Sequence, residues 1–481
     1  MMQRLLYVFV LLFVSCMTVS AQSPDTLFTI PESARAFTLN NFYELILKNH
    51  PVAKQAGLLS ESARQEIRLA RGSFDPKLEA QFTSKRLNGK EYYDIFNSSL
   101  KLPLIFPIDP SIGVDRNKGT YLNPERYIDD TFNYHQFYAG ISLPLGRGLF
   151  TDERRTALRQ AELFRNMMEA EQVKVINKLL LDAAKSYWEW YYSYYMYRLL
   201  NRSVGISEEI FKRTKTNYDF GEAAGIDTIQ AKITWQQRVI EQQEALLNFK
   251  NSGLELSNMV WDSLSNPLEL DLSWVPVLPS ENWSLTPEDL KQLADYAREN
   301  HPELKKMDVK ILQLEADRRL AAEYMKPQLN VNYYALNQPI NPDGATSFVL
   351  NDNYKFGVDF SFPLFLRKER SKLALTKLKI ANTKYEQTLT ERQIVNNLTA
   401  VYNQLVNLQT IMAGQKEIMD NYERLFKAEL MNLEQGESDL FKINVQQEKL
   451  IQAQTKWLKQ LVENEKQKAY LYWAAGTAKT E

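Results

Sequence analysis

Two hydrophobic periods share this chain. The first has a repeat of two. Leu78, Ala80 and Phe82 alternate with Glu79, Gln81 and Thr83, and Phe137, Ala139, Ile141 and Leu143 alternate with Tyr138, Gly140 and Ser142. Leu329, Val331 and Tyr333 flank Asn330 and Asn332, and Phe356, Val358, Phe360 and Phe362 oppose Lys355, Gly357, Asp359 and Ser361. One apolar and one polar face mark β-strands, predicted at 76–86, 133–145, 327–336 and 354–364. A half-buried sheet fits this alternation, and so does a membrane barrel with a wet interior. Each strand has about 9–11 residues, the length a tilted strand needs to cross a bilayer. Four strands cannot close a barrel alone, so the barrel reading demands several copies of the chain.

The second period is helical and unusually sustained. Asp152 to Asn217 holds no proline and, as its one glycine, Gly205. At 1.5 Å per residue such a helix runs about 100 Å. Val173, Ile176, Leu180, Ala183, Tyr187, Trp190, Tyr194 and Tyr197 recur in steps of three and four. Ile394, Leu398, Val401, Leu405, Leu408, Met412, Met419, Tyr422 and Phe426 do the same in the proline-free run Leu366–Leu433, with a break at Gln415. This is coiled-coil spacing. Long helices are predicted at 151–218, 227–260, 366–433 and 438–475. The turns between them hold Gly221, Glu222, Gly225 and Asp227, and Gly436, Glu437, Ser438 and Asp439. Glycine past a helix end accepts the left-handed conformation that reverses the chain.

The two periods belong to an internal duplication. Asn49-His50-Pro51 returns as Asn300-His301-Pro302, Arg68-Leu69-Ala70 as Arg319-Leu320-Ala321, and Pro76 as Pro327, all 251 residues later. Arg155, Leu158, Tyr187 and Gly221-Glu222 return as Arg370, Leu373, Tyr402 and Gly436-Glu437, 215 residues later. The first copy therefore carries 36 extra residues, mostly within 85–132. The copies span 37–260 and 286–475, each ordered helix, strand, loop, strand, long helix, turn, long helix. The linker 261–285 contains Pro267, Pro276 and Pro279 and reads as irregular. The second copy opens on Thr286-Pro287-Glu288-Asp289, a capping hydroxyl, an N1 proline and two acids.

Composition narrows the function. Lys+Arg number 58 and Asp+Glu 59, so no global basic field exists to hold nucleic acid. Seventeen glycines in 481 residues are too few for a large single-chain β-barrel or a Gly-rich phosphate-binding enzyme. Arg4, the apolar run Leu5–Val14 and Val19-Ser20-Ala21 form a secretory leader over 1–21, with the mature chain starting at Gln22. Cys16, the one cysteine, would leave with it, and with it any disulfide, thiol nucleophile or cysteine-held metal. The rival reading makes Cys16 a lipidated N-terminus, because Leu12-Phe13-Val14-Ser15 resembles a lipobox. Beyond residue 21 no run of 18 apolar residues exists, so an exported chain of this kind enters a membrane, if at all, through strands.

No catalytic or metal constellation is found. The histidines are His50, His135 and His301, two of them in equivalent pre-proline turns, and no HExxH, GxSxG, Walker or Rossmann pattern occurs. The expectation is a non-enzyme without metal or cofactor. The aromatic cluster Tyr187–Tyr197 includes Trp188 and Trp190 but is flanked only by Lys185 and Arg198, which favours helix packing over a nucleic-acid platform.

These residues together resemble the TolC-like outer-membrane efflux protein family. The resemblance rests on the repeated NHP…P spacing at 49–76 and 300–327, and on Ser142-Leu143-Pro144-Leu145 and Ser361-Phe362-Pro363-Leu364. The first tip adds Gly221, Asp227 and Ala231, and the match covers about 37–475. It implies an α+β membrane protein and a homotrimer. Each protomer would supply four strands to a twelve-stranded outer-membrane barrel, and its helices a coiled-coil α-barrel through the periplasm. It further implies a passive exit duct fed by an inner-membrane RND or ABC transporter through a periplasmic adaptor. On this reading Glu79, Gln81, Asn330, Asn332, Lys355 and Asp359 face the lumen. Phe82, Phe137, Ile141, Val331, Phe356 and Phe360 face outer-membrane lipid. The tips at Gly221, Gly225, Asp227 and Gly436 meet the adaptor. Family members often carry acids six and nine residues after the second-tip glycine; Lys442 and Val445 stand there, so Glu437 and Asp439 become the candidates for an acidic aperture ring. The alternative is a periplasmic coiled-coil adaptor or scaffold without a pore.

Overall fold

The computed structural model describes residues 35–128, 130, 133–270, 273–277, 285–337 and 353–477. The leader over 1–21 and Cys16 lie outside the described residues. In chain order the elements are β1 (Arg35–Phe37), α1 (Leu39–Asn49), α2 (Pro51–Arg71), β2 (Lys77–Leu87), β3 (Lys90–Lys101), β4 (Asp109–Lys118) and β5 (His135–Pro144). They continue with α3 (Glu153–Asp219), α4 (Gly225–Ser257), β6 (Trp274–Pro276), α5 (Pro287–Asn300), α6 (Pro302–Glu323), β7 (Gln328–Asn337), β8 (Tyr354–Ser361), α7 (Arg367–Glu434) and α8 (Leu440–Ala474). Among the described residues no helix is long and apolar enough to cross a membrane.

The duplicated Asn-His-Pro is a hinge between two helices. His50 ends α1 and opens α2; its Nδ1 accepts the Val52 N–H at 3.1 Å while Pro51 takes the first helical position. His301 repeats this between α5 and α6, accepting the Glu303 N–H at 3.2 Å. A proline at that position sacrifices no intrahelical bond, and the imidazole satisfies a donor the helix would otherwise orphan.

The helices form one layer. Near the sheet the neighbours run α2, α3, α6, α7; toward the far end they run α4, α3, α8, α7. Thus α3 and α7, of 67 and 68 residues, traverse the layer. The short helices of each copy stack end to end beside them. The main core sits at this changeover. Tyr187, Trp188, Trp190 and Tyr191 are buried there with Phe42, Ile46, Leu256 and Leu461. The Tyr187 hydroxyl donates to the Phe37 carbonyl at 2.7 Å and accepts the Val277 N–H at 3.1 Å. The aromatic cluster is therefore packing, and burial pushes the Tyr187 hydroxyl's pKa up. The linker is less irregular than its prolines suggest: β6 pairs in parallel with β1 beside this core.

The sheet corrects the strand count. Among the described residues it has six antiparallel strands in the order β2-β3-β4-β5-β7-β8, not four. The extra residues of the first copy form the hairpin β3–β4, inserted between β2 and β5. Asn88 (φ 52°) and Gly89 (φ 73°) make the two-residue turn from β2 into β3, the left-handed pair that suits the twist of a hairpin.

Candidate functional site

Two surfaces stand out in the described residues: the faces of the sheet and the tips of the helix pairs. Directly opposed residues of antiparallel strands share a face. The registers join Leu78, Leu100, Ile112, Ala139, Ala335 and Tyr354 into one row across all six strands. Parallel rows on that face pair Phe82 with Phe96 and Val114 with Phe137, and join Ile141, Tyr333 and Phe356. Val331 lies there between Leu143 and Val358, and Phe360 opposes Leu329. The structure thus brings Phe82, Phe137, Ile141, Val331, Phe356 and Phe360 to one face. Many of its side chains are open, with Leu78 76%, Phe360 68% and Phe82 63% exposed. An apolar surface this continuous marks contact with something other than water.

The opposite face is polar. Gln81, Asn97, Asp115 and Gln136 form a row, Glu79 opposes Ser99, Asn330 opposes Asp359, and Lys355 opposes Tyr334. All six polar residues singled out in the sequence, Glu79, Gln81, Asn330, Asn332, Lys355 and Asp359, share this face. Its groups pair along the wall: Lys101 Nζ lies 2.6 Å from Glu79 Oε2. Asn97 donates to Asp115 at 2.7 Å, and Asn332 donates to Asp359 at 2.7 Å. Two tyrosines lie flat on glycines opposite them. A Cβ at Gly113 would collide with the Tyr138 ring, and one at Gly140 with the Tyr334 ring. Aromatic cover of a glycine in the neighbouring strand pins register and keeps the ring against the wall.

The tips are built alike. Gly221 (φ 78°) and Gly436 (φ 77°) follow the last residues of α3 and α7 in the left-handed conformation. The Glu222 N–H reaches the Asn217 carbonyl at 2.8 Å and the Glu437 N–H the Asn432 carbonyl at 2.9 Å. With the Gly221 and Gly436 N–H bonds to Tyr218 and Leu433, both ends are Schellman caps. Beyond the glycine the tips differ. Asp439 caps α8, accepting the Lys442 N–H at 2.9 Å, and this bond holds its carboxyl below the usual range. Ala224, at the matching position of α4, makes no side-chain cap. Asp227 falls in the first turn of α4, and a Cβ at Gly225 would lie 3.4 Å from the Tyr218 ring. Glu437 is exposed. The structure therefore gives Asp439 a local partner and a structural task that the sequence did not reveal. Sequence reasoning also missed Arg238, which is buried near the tips and reaches Glu241 at 2.7 Å and Glu448 at 2.6 Å, joining α4 to α8. Its one sequence signal, a charged residue on the inner side of the α4 repeat, is weak.

Comparison with known proteins agrees with this geometry. A family model described as outer membrane efflux protein matches residues 42–260 and 293–477. No curated protein matches. The fold is similar to the CmeC outer membrane channel of Campylobacter jejuni: TM-score 0.61, 14% identity, covering 92% of this chain and 87% of that one. It is similar to a membrane protein from Pseudomonas aeruginosa, at TM-score 0.65 and 14% identity, covering 94% of this chain and 92% of that one. It is also similar to the outer membrane protein VceC of Vibrio cholerae, at TM-score 0.61 and 14% identity, covering 92% of this chain and 96% of that one.

Proposed function

This chain belongs to the outer membrane efflux protein family, and from that premise we propose that three copies assemble into a passive duct. Membership makes it an outer-membrane exit duct of an efflux system, reaching into the periplasm. The observation that carries the finer reading is the two-faced sheet with two open edges. β2 and β8 end the sheet, and each is exposed along nearly its whole length. One such sheet is too narrow to close around a channel, because even eight strands leave room only for side chains. Pairing β8 of one copy with β2 of the next removes both edges and turns the apolar face to lipid.

The helical layer has matching open ends. On α4, Ile233, Ile240, Leu247 and Leu254 recur every seven residues, each more than half exposed. On α7, at the same distance from the tip, Ile411, Ile418 and Leu425 also recur every seven residues, each more than two-fifths exposed. These seams suit helix packing between copies. In the assembled trimer Glu79, Gln81, Asn330, Asn332, Lys355 and Asp359 line the lumen. The tips around Gly221, Gly225, Asp227 and Gly436 receive a periplasmic adaptor that links the duct to an inner-membrane RND or ABC transporter. Glu437, repeated three times, supplies the acidic ring at the aperture. A scaffold without a pore leaves the apolar sheet face and both open strand edges without a role. The test is extraction of outer membranes. A stable trimer released only by detergent, with planar-bilayer conductance, is the expected result; a water-soluble monomer overturns the reading.

A further inference from the structure

Among the described residues the second copy adds two strands to the sheet and the first adds four. We propose that the additional hairpin β3–β4 is part of the membrane wall itself and sets a wider mouth than two strands per copy would allow. This rests on the outer-membrane duct reading above.

Three observations place the hairpin in the wall rather than above it. First, it continues both faces in phase. Leu100, Ile112 and Val114 stand in the apolar rows, which Ser98 and Arg116 interrupt toward the upper end, and Asn97, Ser99 and Asp115 stand in the polar ones. A hairpin serving as an external flap has no need of that alternation. Second, its lower turn is level with the base of the sheet. Asp109 pairs with Arg154 at the start of α3 at 3.1 Å, and Asp109 stands opposite Ser142 near the lower end of β5. The turn exposes Phe106 (74%), beside a molecule that also exposes Phe150 (75%) and Phe365 (75%) just before its two longest helices. Aromatic residues at that level suit a membrane interface. Third, the join is closely fitted, with the Tyr138 ring of β5 lying over Gly113 of β4.

The stagger agrees with a closed barrel. At the lower edge strand ends step by two residues at β3/β4, β4/β5 and β5/β7, and the other two pairs are level there. With about 3.3 Å per residue and about 4.8 Å between strands, this is a tilt of about 35–40°, within the range of closed barrels. Three six-stranded sheets give eighteen strands, about 35 Å across the backbone, against about 23 Å for twelve. The hairpin thus widens the mouth about 1.5-fold. It acts as a determinant of cargo size at the outer end of the duct.

Single cysteines test this in a Cys16→Ser background, where the introduced thiol is the one thiol present. Asn97→Cys and Asp115→Cys should react with a charged, water-soluble thiol reagent in outer membranes, as should Asn332→Cys on β7. Leu100→Cys and Ile112→Cys should resist it and react with a lipid-soluble maleimide, as should Val331→Cys. If both faces of β3 and β4 react alike with the aqueous reagent while β7 still alternates, the hairpin lies outside the wall and the proposal fails alone. If β7 also loses its alternation, the duct reading fails and takes the proposal with it. Electron microscopy adds a second readout. Deletion of 90–118, which leaves β2 and β5 joined at their shared end, should reduce eighteen strands to twelve and the mouth diameter about 1.5-fold. An unchanged diameter in a folded deletion variant overturns the proposal.

Discussion

The two copies of the repeat have diverged unequally along their length. Their helical ends keep step: α4 begins at Gly225 and α8 at Leu440, 215 residues apart, and the left-handed Gly221 and Gly436 keep the same interval. Their sheet ends do not, because the first copy carries β3 and β4 and the second has no counterpart among the described residues. The difference follows from how each structure tolerates added residues. A coiled-coil seam repeats every three to four residues, so an insertion rotates all later side chains out of the seam. A sheet gains two antiparallel strands without changing the direction of the next strand or which face each residue meets. Length variation therefore collects in the sheet, and the helices hold the register on which tip alignment depends.

The largest effect should come from a place where the helical copies match in position but not in residue. Trp190 in α3 corresponds to Leu405 in α7, and both are fully buried. Trp190 lies in the aromatic core that joins α1, α3, α4 and α8, in edge contact with Phe37 at 6.3 Å and Tyr187 at 5.9 Å. Leu405 sits in a smaller cluster with Leu398, Val401 and Leu471. Trp190→Ala should cost about 3–5 kcal/mol and Leu405→Ala about 2–4 kcal/mol, read from the thermal transition of purified protein. Equal losses would show that the load is shared evenly between the copies, and a larger loss at Leu405 would reverse the ranking.

Much of this was legible in the sequence, for physical reasons. Three-four spacing inside proline-free runs of more than 60 residues leaves little freedom, and α3 and α7 occupy those runs. The strands with strict alternation, β2, β5, β7 and β8, are visible for the same reason. The hairpin was missed because β3 runs through Asn97-Ser98-Ser99, where both faces carry small polar residues and the period fades. The readable signal was local: Asn88-Gly89 is a strong hairpin turn, and Ile112-Gly113-Val114-Asp115 alternates. The tip was half legible. Glycine announced both reversals, but whether an acid caps a helix depends on a backbone donor three residues on, and Asp439 and Glu437 look alike until that bond is seen.

A smaller effect tests whether the two hinges are equivalent. His50 and His301 each accept a backbone N–H through Nδ1, which requires the neutral ring. Burial lowers the pKa of both below the ordinary value. For a histidine depressed in the folded state, the contribution to stability is full above the unfolded pKa of about 6.5 and is lost as pH falls through the folded value. The thermal transition should therefore drop between pH 7.5 and 5. Asparagine caps without titrating, so His50→Asn with His301→Asn should flatten that drop while leaving the pH 7.5 value nearly unchanged. If each single variant removes about half of the pH dependence, the hinges are equivalent. If one removes nearly all of it, the copies have diverged here as well.

The smallest effect concerns the tips, where shape is shared and charge is not. Asp439 is bound to the Lys442 N–H, with the Lys442 ammonium 3.5 Å away, whereas Glu437 is exposed one residue beyond the Gly436 turn. A carboxylate already facing a helix N-terminus and a lysine offers little field to a passing ion, because both partners offset its charge. Glu437→Gln should therefore lower the cation preference of the single channel more than Asp439→Asn does. Asparagine keeps the cap, so Asp439→Asn removes charge without unravelling α8. Conductance and reversal potential at low salt measure both, since screening weakens exposed charges as ionic strength rises. If Asp439→Asn shifts selectivity as strongly as Glu437→Gln, the cap also faces the aperture, and the second tip differs from the first in its pore chemistry as well as in its capping.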